Sequence, residues 1–339
     1  MERGTTAQLT AAPALPTTAA LALGVAAMAV AALTVGAYPL SLGEALAALF
    51  GWGDARAATV VWGVRVPRVA AALLVGAALA AAGAAYQALF RNPLVSPDIL
   101  GVSAGAGLGA VLGIFLSLPV AAIQLFAFAG GLGAVALVGL VAGSVRNADP
   151  TLALVLTGVV VGALAGAATS LLKVLADPYD QLPAITFWLL GSLASVTQAD
   201  VAPALPAVAL GLVPLILLRW RINVLSLGDE EARALGVEAG RLRLTVVAAA
   251  TLITASVVAV AGVVGWVGLV IPHIARMLVG PGFSRLLPTS CLLGAGYLLA
   301  VDTLARTVAR VEVPLGILTA AVGAPFFIWL LARGRRGWS

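Results

Sequence analysis

Residues Thr245–Gly280 read TVVAAATLITASVVAVAGVVGWVGLVIPHIARMLVG, a run of 36 residues that is almost entirely apolar. A single α-helix of that length would extend about 54 Å, whereas the hydrocarbon core of a bilayer is only about 30 Å thick. The run must therefore break into two helices. Gly262, Gly265 and Gly268 mark the region of the break.

The whole chain has the composition of a membrane protein. Of its 339 residues, 62% are hydrophobic and 10% are charged, whereas about 25% of the residues in a soluble domain are charged. Only α-helices and closed β-barrels satisfy their backbone polar groups inside a bilayer. The apolar runs lack the period-two alternation of barrel strands, so the sequence predicts an all-α polytopic membrane protein. We interpret the net charge of +5 as a determinant of topology and not of nucleic-acid binding.

The apolar runs predict ten transmembrane helices with both termini in the cytoplasm. The predicted bounds are Ala19–Tyr38, Pro67–Leu89, Ile99–Leu116, Ala121–Ser144, Leu152–Leu175, Ala199–Leu218, Leu242–Val263, Val267–Leu278, Leu286–Thr303 and Pro314–Leu331. Together they form a single domain at 19–333, between a cytoplasmic leader at 1–18 and a basic cytoplasmic tail at 334–339.

The segment Ala184–Val196 is apolar but short, which suits a re-entrant or interfacial helix better than a membrane crossing. Lys and Arg are enriched on the cytoplasmic side of membrane proteins. With ten spans, 13 of the 19 basic residues lie inside and 6 outside. An additional crossing at this segment would leave 5 inside and 14 outside, so the charge distribution favours ten.

The predicted membrane segments lack the usual chemistry of a pump or an enzyme. Ion-coupled carriers use ionisable side chains deep in the membrane, but nearly all fourteen acidic residues lie in loops or at helix ends. The only lysine, Lys173, is outside any Gly-rich phosphate-binding motif, so ATP must be bound by another chain. We therefore predict a transport subunit without an ATPase or metal site, and interpret His273 as a satisfied polar group. An ion-coupled secondary carrier is the alternative from a different class.

Two patterns of glycine at every fourth position occur, at residues 101–109 and 158–166. In membrane helices, small residues at this spacing let two backbones approach closely. We interpret both patterns as helix-packing faces and not as nucleotide-binding loops.

The one extended charged segment is Arg219–Arg243, which we call the coupling segment. Within it, residues 227–236 predict a short helix. The acidic residues at 229–231 would occupy its first turn, where the helix dipole favours negative charge. Asp229 could pair with Arg233 four residues later, and Gly236 suits a position just after the helix end.

Ala232 and Leu235 are predicted to share one face of this short helix, where they are small enough to enter a groove on a partner. The alternative is a solvated loop with ordinary helix caps. Residue spacing alone leaves the two interpretations about equal.

Four parts of the chain resemble the FecCD family of ABC-transporter permeases, whose members import iron–siderophores, haem or cobalamin. The similar motifs are RVPR at 65–68 with GAALA at 76–80, RNPL at 91–94 and LGVS at 100–103; LG at 227–228 with the helix that follows; GLVIPHIAR at 268–276 with DTLAR at 302–306; and EVPLGILT at 312–319 with GAPFF at 323–327. Together they cover about residues 60–331.

The resemblance implies the permease architecture of a type II ABC importer in the cytoplasmic membrane of a bacterium or archaeon. Such a permease pairs with a second, identical or related permease within membrane lipid. Two ABC ATPases would bind ATP and Mg²⁺, and a periplasmic or lipid-anchored solute-binding protein would deliver the cargo. This chain itself would bind no cofactor. An iron(III)–siderophore is the first expectation for the cargo, with haem and cobalamin as alternatives.

The resemblance also assigns roles to individual residues. Residues expected to dock the solute-binding protein are Arg65, Arg68 and Arg306, with Asp302 orienting Arg306; anchoring to lipid headgroups is the alternative. Residues expected to couple to the ATPases are Gly228, Asp229, Glu230, Ala232, Leu235 and Gly236. Residues that could line the translocation path are Thr157, Thr169, Ser170 and Thr319.

Overall fold

The computed structural model describes residues 14–145 and 149–333, and the regular elements in these ranges are helices. The α-helices are α1 (Ala14–Ala32), α2 (Leu42–Leu49), α3 (Ala55–Val60), α4 (Val66–Leu89), α5 (Val102–Phe115), α6 (Val120–Ser144), α7 (Pro150–Leu175), α8 (Gln181–Leu190), α9 (Gln198–Leu217), α10 (Arg219–Leu225), α11 (Asp229–Ala234), α12 (Ala239–Ala261), α13 (Val267–Val279), α14 (Phe283–Ala305) and α15 (Leu315–Arg333). A π turn at Val61–Arg65 joins α3 to α4, and a 3₁₀ turn at Pro97–Leu100 precedes α5.

In the described ranges, six helical segments are long and apolar enough to cross a membrane. They are Ala55–Leu89, Val120–Ser144, Pro150–Leu175, Gln198–Leu217, Ala239–Ala261 and Phe283–Ala305. The other four predicted spans overlap the shorter apolar helices Thr17–Ala32, Val102–Phe115, Val267–Val279 and Leu315–Leu330. An all-helical membrane protein is therefore confirmed, whereas ten crossings and cytoplasmic termini stay predictions.

The predicted break in the long apolar run is confirmed. Helix α12 ends at Ala261 and α13 begins at Val267. Gly262 and Trp266 have φ angles of +70° and +71°, a left-handed conformation that neither helix can continue through. Gly268 lies inside α13 and serves packing instead, because a Cβ there would lie 2.7 Å from Cδ of Pro97.

Several predicted helix ends are wrong by more than a turn. Helix α1 stops at Ala32 instead of Tyr38 and begins at Ala14, inside the predicted leader. The helix that contains α4 starts twelve residues before Pro67, at Ala55, because the π turn continues it. Residues 1–13 and the predicted tail at 334–339 lie outside the described residues.

The segment predicted to lie at the interface forms α8, whose ten residues span about 15 Å. It is therefore too short to cross a bilayer. The backbone of Gly191, just after α8, accepts a hydrogen bond from the N–H of Leu315 at 2.9 Å, and the N–H of Ser192 donates to Ala261 O at 2.9 Å. The short helix is thus attached to the break between α12 and α13.

The interior is built by the largely buried helices α4, α12 and α14, and the backbone of α4 closely approaches those of α14 and α13. A Cβ on Gly76 of α4 would lie 2.1 Å from the carbonyl oxygen of Gly294 on α14. A Cβ on Gly83 would lie 1.9 Å from the carbonyl oxygen of Gly268 on α13. Only residues without side chains permit this contact, which maximises packing between apolar helices in a membrane.

The glycines of the two patterns differ in how closely a neighbouring helix approaches them. A Cβ on Gly105 or Gly109 of α5 would clash with carbonyl oxygens of α6, at 2.4 and 2.0 Å. In the second pattern only Gly158 makes such an approach, 2.2 Å from Ile99 O, whereas Gly166 has nothing within 4 Å. The packing interpretation is confirmed for Gly105 and Gly109 of the first pattern and for Gly158 of the second.

Candidate docking and coupling sites

Arg65 ends the π turn, and its side chain folds back into the protein. The residue is 3% exposed, and its guanidinium donates hydrogen bonds to the backbone carbonyls of Leu33 and Tyr38. These carbonyls belong to the segment after α1. Arg65 satisfies acceptors that a longer α1 would have bonded internally, which explains why that helix can end at Ala32.

Arg68, in the first turn of α4, joins two carboxylates that are distant in sequence. Its Nε donates to Asp302 Oδ1 at 2.9 Å and Oδ2 at 3.1 Å. Its Nη1 donates to Glu312 Oε2 at 3.1 Å, and its Nη2 bonds the other Glu312 oxygen. Asp302 is fully buried, so this forked, charge-assisted pairing compensates for the loss of water around both charges.

Arg306 completes the cluster from the end of α14. Its Nε lies 3.4 Å from Asp302 Oδ2, the predicted pairing of residues four apart. Nη1 donates to Val35 O at 3.0 Å, and Nη2 donates to Thr303 Oγ1 at 3.3 Å. The arginine thus holds the segment after α1 against α14.

The structure brings the three predicted docking arginines together but points them at their own chain. We call Arg65, Arg68, Asp302, Arg306 and Glu312 the arginine cluster; it has three positive and two negative charges. Sequence reasoning assigned no role to Glu312. The Glu-Val-Pro motif contained the residue, but no spacing rule connects it to an arginine 244 residues earlier. Docking to a binding protein stays a prediction for these arginines.

Helix α2 lies in the loop between α1 and α3, on the same side as the arginine cluster according to the predicted topology. Its N-terminus is a capping box in which the Ser41 N–H and hydroxyl each donate to Glu44 Oε2 at 2.7 Å. These hydrogen bonds, the hydroxyl first, hold the pKa of Glu44 below its ordinary value. Trp52 follows and is 85% exposed.

The coupling segment forms two short helices, α10 and α11, before α12. The predicted helix at 227–236 is confirmed as α11, with its three acidic residues in the first turn. It ends in a Schellman motif: Val237 N–H donates to Ala232 O at 2.8 Å, and Gly236 N–H donates to Arg233 O at 2.9 Å. Gly236 has a φ angle of +77°, as the predicted stop requires.

The two residues predicted to share an outer face of α11 lie on different sides. Ala232 is fully buried in the protein core, whereas Leu235 is 54% exposed. The prediction that both enter a partner's groove is therefore wrong for Ala232 in this structure. Ala232 instead positions α11, since any larger side chain would displace the helix from the chain beneath it.

Asp229 also has a different partner from the predicted Arg233. Arg243 Nη2 lies 3.2 Å from both carboxylate oxygens of Asp229 and so connects the start of α11 to α12. A second connection comes from Asn223 on α10, whose Oδ1 accepts the N–H of Phe283 at 2.6 Å. The sequence could not reveal either pairing, because both depend on how separate helices pack.

The other coupling residues differ in accessibility. Gly228 is buried, with a φ angle of +141°, Asp229 is partly exposed, and Glu230 and Gly236 are exposed. The exposed surface of α11 thus combines acidic side chains with the apolar Leu235. This surface is small, mixed in character and attached to α12 by an ion pair.

The residues proposed to line a path do not form one surface. Thr157 and Thr169 on α7 are half-buried, and Ser170 is exposed with its hydroxyl bonded to Gly166 O at 2.9 Å. Thr319 on α15 is fully buried and donates to Gly316 O at 3.2 Å. Thr319 therefore faces the interior of its own chain.

His273 on α13 is half-buried, and its Nδ1 has no hydrogen-bond partner. The expectation of a fully satisfied histidine is wrong for this atom. Among the described residues, no three His, Cys, Asp or Glu side chains are placed to hold a metal ion.

The model of the FecCD transport family matches residues 24–333. The chain belongs to the FecCD transport family. It is therefore a membrane permease of an ABC importer, as the resemblance of its motifs predicted.

Relatives in the FecCD family carry different cargo names. A probable iron chelatin transport system permease protein of Helicobacter pylori is 41% identical and covers 81% of this chain and 83% of its own. The molybdate permease MolB of Haemophilus influenzae is 40% identical over 91% and 93% of the two chains. The cobalamin permease BtuC of Halobacterium salinarum is 43% identical over 85% and 77%.

A solved structure of an ABC transporter shares the fold. It is an inward-facing ABC transporter provisionally assigned to the metal-chelate type, and its chain is 38% identical to this one. The TM-score is 0.87, with 94% of this chain and 99% of that chain covered.

Proposed function

We propose that this permease imports an iron(III)–siderophore or a similar metal chelate, delivered by a solute-binding protein and driven by two separate ATPase subunits. The match to the FecCD transport family over residues 24–333 carries the proposal. A relative named for iron chelate and a structure assigned to the metal-chelate type support this choice of cargo. Relatives named for cobalamin and molybdate are equally similar, so those cargoes are the alternatives.

The test is transport by the assembled complex in proteoliposomes. The permease is purified with the ATPase and binding protein that co-purify with it, and accumulation of a radiolabelled ferric siderophore is measured with and without ATP. Uptake that requires both ATP and the binding protein supports the proposal. Uptake of cobalamin, haem or molybdate instead would replace the cargo. Accumulation by the permease alone, driven by an ion gradient, would favour a secondary carrier.

We assign ATPase binding to the exposed surface of α11. Leu235 is 54% exposed beside Glu230, so a charged residue there would disturb a partner without disturbing the fold. We expect Leu235→Glu to abolish co-purification of the ATPases while the permease keeps its melting temperature. Val311→Glu is the control, because Val311 is also apolar and exposed, at 72%, but follows α14. ATPases retained at normal stoichiometry on Leu235→Glu would contradict the assignment.

We assign binding-protein docking to the arginine cluster because of its surplus positive charge. Direct reversal of Arg65 or Arg68 would unpair buried groups and so would not separate docking from folding. Glu312→Gln is a better variant, since the Glu312 side chain is 29% exposed and its neutralisation releases part of Arg68. We expect tighter binding of the solute-binding protein, by about tenfold if one charge-assisted hydrogen bond is gained.

The control for this variant is Glu44→Gln, which removes the same charge from a carboxylate on α2 that bonds Ser41 and not an arginine. Weakened or unchanged binding by Glu312→Gln, or equal tightening by both variants, would show that the cluster only holds helices together. Binding is measured by surface plasmon resonance at two salt concentrations, because a steering charge is screened by salt.

A further inference from the structure

Two exposed aromatic side chains follow α2 directly. Phe50 and Trp52 are 66% and 85% exposed, and their ring centroids are 6.1 Å apart. Contiguous exposed apolar side chains mark interaction sites, whereas isolated ones need no explanation. We call Phe50 and Trp52 the aromatic tip.

The backbone of the aromatic tip is fixed by a Schellman motif at the end of α2. Gly51 has a φ angle of +80°, and its N–H donates to Ala48 O at 3.3 Å. The N–H of Trp52 donates to Ala47 O at 2.8 Å. Trp62 holds the same turn, because its Nε1 donates to Ala48 O at 3.3 Å. A side chain on a fixed backbone loses less entropy when a partner binds, so the tip is preorganised for contact.

Helix α3 projects beyond the neighbouring membrane-spanning helix. Helices α4 and α14 are antiparallel, with Gly76 against Gly294 and Arg68 against Asp302. This pairing makes the start of α4 level with the end of α14. Helix α14 has 23 residues, so its length of about 35 Å is enough to cross the hydrocarbon core by itself. The ten residues 55–64 continue beyond that level for about 15 Å.

The aromatic tip is attached to the far end of this projection. Asp54 caps α3 by accepting a hydrogen bond from the N–H of Arg56 at 3.3 Å, and Trp52 precedes it by two residues. The headgroup layer adds only about 5–8 Å to each side of the hydrocarbon core. Tryptophans that anchor a protein in a membrane lie at the level of this layer. The tip lies farther out, which favours a water-soluble partner over lipid.

The solute-binding protein is the water-soluble partner that approaches this end of the permease. The coupling segment, to which we assign the ATPases, is bonded to the opposite end of α14 through Asn223 and Phe283. The arginine cluster lies at the base of the projection. Within it, Arg65 bonds the carbonyl of Tyr38 in the segment that leads into α2. The aromatic tip and the arginine cluster therefore form parts of one outer surface.

We propose that the aromatic tip is an apolar contact for the solute-binding protein, in addition to the charged contact assigned to the arginine cluster. Tryptophan and arginine are among the residue types that dominate the binding energy of protein interfaces. Exposed Asp54 and Arg56 lie beside the tip, and an apolar centre with a polar rim is the usual composition of such an interface. The inference rests on the proposed delivery of the cargo by a binding protein.

The test is the dissociation constant of the co-purifying solute-binding protein for the permease in nanodiscs, measured by surface plasmon resonance. We expect Trp52→Ala to weaken binding about thirtyfold, the factor that corresponds to one hot-spot residue, and Trp52→Phe to weaken it less. The loss should be equal at low and high salt, because salt screens charges and not apolar contacts. Trp220→Ala is the matched control, since Trp220 is 58% exposed on α10, and it should leave the dissociation constant unchanged.

The outcomes separate this inference from the proposed function. Equal binding by Trp52→Ala and the unaltered permease would overturn the inference and leave the proposed function intact. An unaltered permease that does not bind the solute-binding protein would overturn both.

Photo-crosslinking identifies the occupant of the tip directly. A benzophenone amino acid replaces Trp52 in the assembled complex, the complex is irradiated in nanodiscs with the solute-binding protein, and the crosslinked partner is identified by mass spectrometry. A crosslink to the binding protein supports the inference. A crosslink to lipid or to a second copy of the permease instead would overturn it.

Discussion

Helices α4 and α7 are both long and apolar, yet they occupy opposite environments. In the segment that contains α4, 78% of the most apolar window is buried, against 17% in α7. Buried positions of α4 are mostly Ala and Gly, whereas α7 presents Leu156, Val159 and Leu164 at its surface. Lipid is as apolar as leucine, so hydrophobicity cannot sort the two helices. What differs is the surroundings of their small residues: those of α4 are buried against other helices, whereas Gly166 of α7 has nothing within 4 Å of a Cβ.

The largest expected effect comes from adding volume to each helix. Gly83→Leu in α4 places side-chain atoms where the carbonyl oxygen of Gly268 lies, 1.9 Å from the new Cβ. Overpacking typically costs about 1–3 kcal/mol, and a backbone clash exceeds that, so we expect no folded protein by fluorescence-detected size-exclusion chromatography. Gly166→Leu in α7 has nothing within 4 Å and should elute normally. Normal elution of both variants would contradict the conclusion that α4 is tightly packed and α7 is not.

Removing one charge from each helix should also destabilise the protein more in α4 than in α7, but by less than the added volume does. Arg68→Gln leaves the buried Asp302 without its main partner, and breaking a buried ion pair costs about 3–5 kcal/mol. We expect a clearly lower melting temperature in detergent. Lys173→Gln, at the half-exposed end of α7, should melt like the unaltered protein. If both variants melted alike, the arginine cluster would contribute nothing to stability.

Truncation of leucine is expected to have an intermediate effect. Leu79 in α4 is 5% exposed, and Leu164 in α7 is 64% exposed. Leu79→Ala should lower the free energy of unfolding by about 2 kcal/mol, the low end of the range for a buried leucine. The low end is expected because packing contacts are lost, whereas the hydrophobic effect contributes little between helices in lipid. Leu164→Ala should be neutral in the isolated chain. Reversible unfolding in mixed micelles measures both, and an equal loss would contradict the burial pattern.

The smallest effect concerns one hydroxyl. Thr289 on α14 is fully buried in the same core as α4, and its Oγ1 has no hydrogen-bond partner. Thr289→Val replaces this group with a methyl of similar shape, so we expect a gain of about 1 kcal/mol or less. Thr169→Val on α7, where the threonine is half-buried, should change nothing. A lower melting temperature for Thr289→Val would mean that the hydroxyl is satisfied.

Features that depend on neighbouring residues were predictable from sequence. The break after Ala261 follows from the length of the apolar run, and the end of α11 follows from Gly236. The membrane class and the family follow from composition and motifs. The break and the helix end are each encoded within one short segment, whereas the class and the family follow from the composition of the whole chain and from four separate motifs.

Features that depend on packing between helices were not predictable. The sequence places Arg68 near a helix end but cannot show that Glu312 reaches it from across the fold. It likewise cannot show that Ala232 faces the core while Leu235 faces outward, because this depends on how α11 rests on α12. Burial of a charged or small residue is a property of its neighbours in space.

The π turn at Val61–Arg65 has a consequence for residue numbering along this long helix. A widened turn contains one more residue than an α-helical turn, which offsets everything before it by roughly 100°. The usual spacing of three or four residues therefore does not identify side chains on the same face when it is applied across the π turn. Crosslinks or spin labels that bridge residues 55–60 and 66–70 have to be placed one position away from an ideal helical wheel. A deletion of one residue within the π turn would instead rotate α3 relative to α4 and carry Arg65 away from the carbonyls that it bonds.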